Sequence, residues 1–156
     1  MFGKSVGQYL SFQKLFLAAI VVFFLVRLGM SLAGMPNATT KFVSVTVVLL
    51  IGTLYYGVAV HTRGFGSYKQ LYPLALFQSL LGEGLVALAI VLAIFTGRDN
   101  IYTAPEYSGG GDGKNWFHVI AHLVVAAVVM PLVSWGVSSL VMLVTKAVAR
   151  RPATVS

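Results

Sequence analysis

The sequence predicts an all-α polytopic membrane protein, a single four-transmembrane-helix bundle with both termini cytoplasmic. Three observations carry that reading. The chain is 58% hydrophobic and 10% charged, with a mean hydropathy of +0.87, too little polar character to keep a soluble domain dispersed. Its apolar residues gather into four runs, each of about 20 residues or more, enough to cross a hydrocarbon core. The runs are continuous rather than alternating and too long for barrel strands. Four spans use up a chain of 156 residues, so 1–156 reads as one membrane domain.

The first span is expected near 15–34, closed by Gly34 and Pro36. Its "SLAG" ending resembles a signal-peptidase site, yet the apolar stretch runs on through Leu28 to Ala33, the length of an uncleaved signal anchor. The second span is expected near 42–60, with Thr39 or Thr40 as its cap. The third is expected near 73–96. Pro73 suits its first turn, where a missing N–H costs nothing, and Gly97 suits the position just past its end. The fourth is expected near 116–145, capped by Asn115. Thirty residues extend about 45 Å against a core of about 30 Å, so this helix must tilt, bend or project. Pro131 removes the hydrogen bond to Ala127 and predicts a bend.

Orientation follows from Lys and Arg outside the spans. Lys4, Lys14, Arg63, Lys69, Lys146, Arg150 and Arg151 lie on one side, against Lys41, Arg98 and Lys114 on the other. The richer side is cytoplasmic, which makes 97–115 an outer loop and the bacterial inner membrane the expected location. The net charge of +7 then matches phospholipid headgroups rather than nucleic acid. With no cysteine, the chain has no disulfide, thiolate metal site or thiol redox chemistry of its own.

Two ionisable residues fall inside spans, Arg27 and Glu83. A charge at the bilayer centre costs about 2.5–3.5 kcal/mol on insertion scales, so each calls for a partner or a task. Arg27 lies thirteen residues beyond Lys14 and Glu83 fourteen beyond Lys69, roughly 20 and 21 Å along parallel helices. Matched depth predicts an Arg27–Glu83 pair between the first and third spans. Gly82 and Gly84 would let those helices approach, and Gln78 and Ser79 would take spare hydrogen bonds. If Trp116 anchors at the outer interface, His122 descends about 9 Å and joins Arg27, Glu83, Gln78 and Ser79 in a polar cluster. Such a pair either fixes helix register alone or makes Glu83 a proton or cation site; an outward-snorkelling Arg27 is the remaining arrangement.

"WFHVIAHLV" sets His118 and His122 four residues apart on one helix face. That spacing can hold a divalent metal, with Glu106 and Asp112 as the nearest additional ligands, but Zn²⁺ wants three or four donors and the H-E-x-x-H glutamate is missing. Haem is the other cofactor to weigh; His61 lies at the opposite membrane face from these two and cannot share one with them. No cofactor is expected. The cytoplasmic connection "HTRGFGSYKQLYP" offers Arg63, Phe65, Tyr68 and Lys69 as an interface, to lipid first and to another protein second. The outer loop, with Tyr102, Pro105 and Tyr107, is long enough to fold over the helix ends and cover a cavity near His118.

Three functions are compatible with these features. The first is a non-enzymatic accessory or interaction subunit of a membrane complex, partnered by the bilayer and by other membrane subunits or its own copies. The second is a proton-linked oligomeric carrier or channel using Glu83. The third is a histidine-based metal- or cofactor-binding membrane enzyme.

Overall fold

The computed structural model describes residues 1–149; Arg150 and Arg151, counted above among the tail charges, lie outside the described residues. Six α-helices form among the described residues, α1 (Val6–Leu32), α2 (Asn37–Thr40), α3 (Val45–Thr62), α4 (Tyr68–Thr96), α5 (Trp116–Val124) and α6 (Met130–Ala149). No strand occurs among the described residues. A π-helical turn, Val125–Val129, fuses α5 to α6, so the described residues hold four helical units long and apolar enough to cross a membrane.

Local chemistry sets the helix ends, in places differently from expectation. α1 begins at Val6, not near 15, because Ser5 and Gln8 form a reciprocal cap: Gln8 N–H donates to Ser5 Oγ (3.2 Å) and Ser5 N–H to Gln8 Oε1 (2.8 Å). α3 begins at Val45, capped by Ser44 rather than Thr39 or Thr40; Thr40 instead donates its hydroxyl to the Pro36 carbonyl in α2. α4 begins at Tyr68, five residues before Pro73, because the Gln70 side chain accepts from Ser67 N–H (2.8 Å). Pro73 thus lies inside the helix. Gly97 ends α4 at φ 69°, a left-handed conformation that only glycine adopts without strain. Asn115 caps α5 by accepting from His118 N–H (2.8 Å).

The expected disruption at Pro131 takes the form of the π turn immediately before it. Met130 N–H reaches back five residues to the Val125 carbonyl, and the widened turn relieves the clash that a proline ring makes with the carbonyl four residues back. The fourth unit is 34 residues long, Trp116–Ala149.

The four units run up and down. Contacts at both ends confirm the alternation: Ser31 at the end of α1 accepts from Ile101 N–H of the 97–115 loop (2.8 Å), while Gln70 at the start of α4 donates to the Phe2 carbonyl (2.7 Å). α4 packs against α1, α3, α5 and α6, whereas the α1 and α6 backbones nowhere come within 8 Å between Cα atoms. Close approach is built in at Gly57 of α3, where an added Cβ would lie 2.5 Å from Val141 Cβ and 2.7 Å from the Ser138 carbonyl of α6. Gly82 faces Leu49 and Val45 of α3 rather than the expected α1, and Gly84 faces open space.

The core has two parts. Ile20, Phe24, Val45, Leu49, Ile90 and Val119 fill the loop end together with Ile101 and Tyr102. Tyr9, Tyr56, Val60, Leu71, Leu74 and Met142 fill the terminal end. There Phe65 turns inward from the 63–67 connection and stacks on Phe12 at 3.9 Å between ring centroids. Tyr68 takes the Lys146 ammonium over its ring (4.1 Å), and its carbonyl accepts from Trp135 Nε1 (2.9 Å). Of the four residues expected to present an interface there, Phe65 and Tyr68 are spent on the chain's own packing, leaving Arg63 and Lys69 exposed.

Candidate functional site

Near the loop end, α1, α3, α4, α5 and the 97–115 loop enclose a cavity of about 170 Å³. Arg27, Glu83, His122, Tyr102, Tyr107 and Thr46 give it polar walls, and Val45 and Val86 an apolar floor. Thr46 and Tyr107 are exposed and rim its mouth. The loop reaches the site by folding back along α4: Asn100 donates to the Ala89 carbonyl (2.9 Å) and accepts from Tyr102 N–H (2.9 Å), so Ile101 to Ala104 are buried. That turn seats the Tyr102 ring against Phe24 (5.7 Å between centroids).

Glu83 is not held by Arg27. No Arg27–Glu83 contact within 4.0 Å exists among the described residues; Glu83 Oε2 lies instead 2.7 Å from His122 Nδ1. Equal depth on neighbouring helices fixes height but not rotation, and Glu83 is turned toward α5. Gln78, five residues earlier, is rotated by about 140° from Glu83 on a helix of 3.6 residues per turn. It faces Gly52 of α3 and lines a much smaller cavity with Tyr56, Thr53 and Ser138. Ser79 is buried and makes no hydrogen bond to Glu83. Of the expected cluster, the structure brings together Arg27, Glu83 and His122, and separates Gln78 and Ser79 from them.

From Glu83 a continuous chain of hydrogen bonds leads to the loop. His122 Nε2 lies 3.2 Å from His118 Nε2, and His118 Nδ1 lies 3.0 Å from the Gly113 carbonyl. The proton positions follow from chemistry. A carbonyl only accepts, so His118 carries its proton on Nδ1. With His118 neutral, its Nε2 is an acceptor and His122 Nε2 must donate. One further proton then occupies the Glu83–His122 contact, on carboxylate or imidazole. In either placement the three side chains sum to zero charge. Removing the proton shared with Glu83 sets the His122 Nδ1 lone pair against the carboxylate and leaves the Nε2 contact in place.

Gly113 can serve as the terminus because it packs against the loop backbone itself. A Cβ there would fall 2.5 Å from the Thr103 carbonyl. The glycine that ends the chain of bonds is therefore also the one that lets 97–115 close over the cavity.

Arg27 is on the opposite wall. Only 8% of it is exposed, its Nε has no hydrogen-bond partner, and its guanidinium carbon lies 5.1 and 5.4 Å from the ring centroids of Tyr102 and Tyr107. It faces the cavity rather than snorkelling to a surface. The Tyr102 hydroxyl is likewise buried without a partner. Burial pushes that phenol up to about 12, against the opposing pull of the Arg27 charge, so it stays a neutral donor.

Two of the expected additional metal ligands are elsewhere. Glu106 is exposed on a single 3₁₀ turn, Pro105–Tyr107, and Asp112 accepts from Lys114 N–H (2.9 Å). No group of three or more His, Asp or Glu side chains is placed to hold a metal ion among the described residues. His61 sits one residue before the end of α3, about 22 Å along that helix from Thr46 at the cavity. The loop expected to cover a cavity near His118 brings Tyr102 and Tyr107 to its wall; sequence reasoning missed Thr46, and the Asp99–Lys114 ion pair (2.7 Å) that ties the loop's ends together, raising the Lys114 ammonium above its ordinary range. No protein family model, curated protein or solved structure matches this chain.

Proposed function

We propose that this chain is a small proton-linked protein of the bacterial inner membrane, a carrier or channel in which Glu83 takes up and releases protons through His122 and His118. The observation that carries the reading is the unbroken sequence Glu83–His122–His118–Gly113, running from inside a membrane-crossing helix to the 97–115 loop. Intramembrane ionisable groups that pair in this way mark proton and ion pathways. The excess of Lys and Arg at the terminal end orients that loop outward, so protons enter from the outer face. The π turn directly after α5 supports the same reading, since such turns occur frequently at functional sites and this one lies within a turn of His122.

The test is proton flux in proteoliposomes carrying a pH-sensitive dye, with a pH gradient imposed across them. Wild-type protein is expected to dissipate the gradient, and Glu83→Gln, which keeps the shape but not the titrating group, to slow it at least tenfold. Flux unchanged by Glu83→Gln removes the reading.

A second reading, an accessory subunit, is favoured by α1. Only 17% of its most apolar stretch is buried within the chain, leaving a broad apolar face for lipid or for a neighbouring subunit. Purification in mild detergent with a stoichiometric membrane partner is its expected result.

A further inference from the structure

The proton chain leaves one charge without a counterpart. Glu83, His122 and His118 sum to zero whichever atom holds the shared proton, while Arg27 is always protonated. Arg27 has no carboxylate within ion-pair distance among the described residues, is 92% buried and has an unpartnered Nε. A buried, hydrogen-bond-poor cation in low dielectric is costly unless an anion joins it.

We infer that the Arg27 cavity is a binding site for a short monocarboxylate, a ligand of about four to six non-hydrogen atoms. Size sets the upper limit: about 170 Å³ is close to the roughly 150 Å³ of an engineered cavity that accommodates benzene. Charge sets the valence. One negative charge neutralises Arg27, and a second would face the Glu83 carboxylate. Chemistry sets the head and tail. The guanidinium presents parallel donors that match a carboxylate, and the unpartnered Tyr102 hydroxyl can donate to the same group. Val45 and Val86 provide an apolar surface for one to three carbons of tail. Entry is past Thr46 and Tyr107, both exposed.

This inference names the substrate class for the proton-linked reading and rests on it for its role, but the site itself does not require proton flux. The test is titration of purified full-length protein in nanodiscs with butyrate, propionate, chloride and dimethyl phosphate, followed by calorimetry. Butyrate and propionate are expected to bind saturably. Arg27→Gln should weaken them at least tenfold, and Tyr102→Phe about threefold. Thr46→Phe, at an exposed rim position, should block the mouth without loading the core and serves if Arg27→Gln fails to fold.

Absence of saturable carboxylate binding overturns the inference, as does butyrate affinity indifferent to both Arg27→Gln and Thr46→Phe. Arg27-dependent binding of dimethyl phosphate in preference to butyrate also overturns it, because the site would then hold a lipid phosphodiester. Carboxylate binding without Glu83-dependent flux would keep this site and dismiss the proton reading; flux without carboxylate binding would do the reverse.

Discussion

Replacing Glu83 and His122 singly and together measures the contact on which the site depends. The bond is 2.7 Å long and its members are 14% and 24% exposed, so solvent screens it only in part. Hydrogen bonds involving a charged group contribute about 1.5–3 kcal/mol net. The double-mutant cycle of Glu83→Gln and His122→Phe is therefore expected to give a coupling of about 2 kcal/mol, a factor of roughly 30 in the unfolding equilibrium. The same cycle between Glu83→Gln and Arg27→Gln should give clearly less, because those side chains share a cavity without a contact inside 4.0 Å. Equilibrium unfolding of the four proteins in each cycle, in one detergent, supplies both numbers. Additivity within about 0.5 kcal/mol at Glu83–His122, beside strong coupling at Glu83–Arg27, would refute the arrangement and restore the arginine–glutamate pair.

Three further outcomes follow from other parts of the molecule. Gly57→Val drives a side chain into Val141 and the Ser138 carbonyl and should destabilise the α3–α6 contact by about 1–3 kcal/mol, read as a lower denaturant midpoint; an unchanged midpoint would mean the helices do not meet there. Tyr102 ionises at about 12 when folded against 10.0 unperturbed, so the folded form holds the proton more tightly and stability falls as pH rises from 10 to 12. The loss reaches about 2.7 kcal/mol. The ultraviolet difference titration between wild type and Tyr102→Phe should show a phenolate step near that upper value, and a step at the ordinary value would contradict the burial. Finally, both histidines anchor Nδ1 and turn Nε2 toward each other at 3.2 Å, so Zn²⁺ should compete weakly with the shared proton. Its affinity should fall by about tenfold per unit of acidification and vanish in His118→Gln, measured by calorimetry.

The bundle was legible because hydrophobic run length and terminal punctuation are local signals. Asn115 and Gly97 mark their helix ends in the sequence as they do in space. Helix starts were less legible where polar caps precede the apolar run: Ser5 with Gln8 and Ser67 with Gln70 begin helices in sequence that reads as interfacial. The site was legible in depth but not in direction. Counting residues from Lys14 and Lys69 brings Arg27 and Glu83 to one cavity, yet only packing decides that Glu83 faces α5. The contribution of 97–115 was hidden for a different reason. Its length suggested a cover, but the turn at Asn100 that delivers Tyr102 to Arg27 is fixed by a bond to Ala89, eleven residues back, which no periodicity encodes.

Proton positions along Glu83, His122 and His118 are the most direct test of the account, and ¹⁵N spectra of histidine-labelled protein in nanodiscs report them. A protonated Nδ1 at His118 and a nitrogen–nitrogen coupling across the Nε2–Nε2 contact are the predicted result. Two independent histidines, each with Nε2 protonated and no coupling between them, would contradict it.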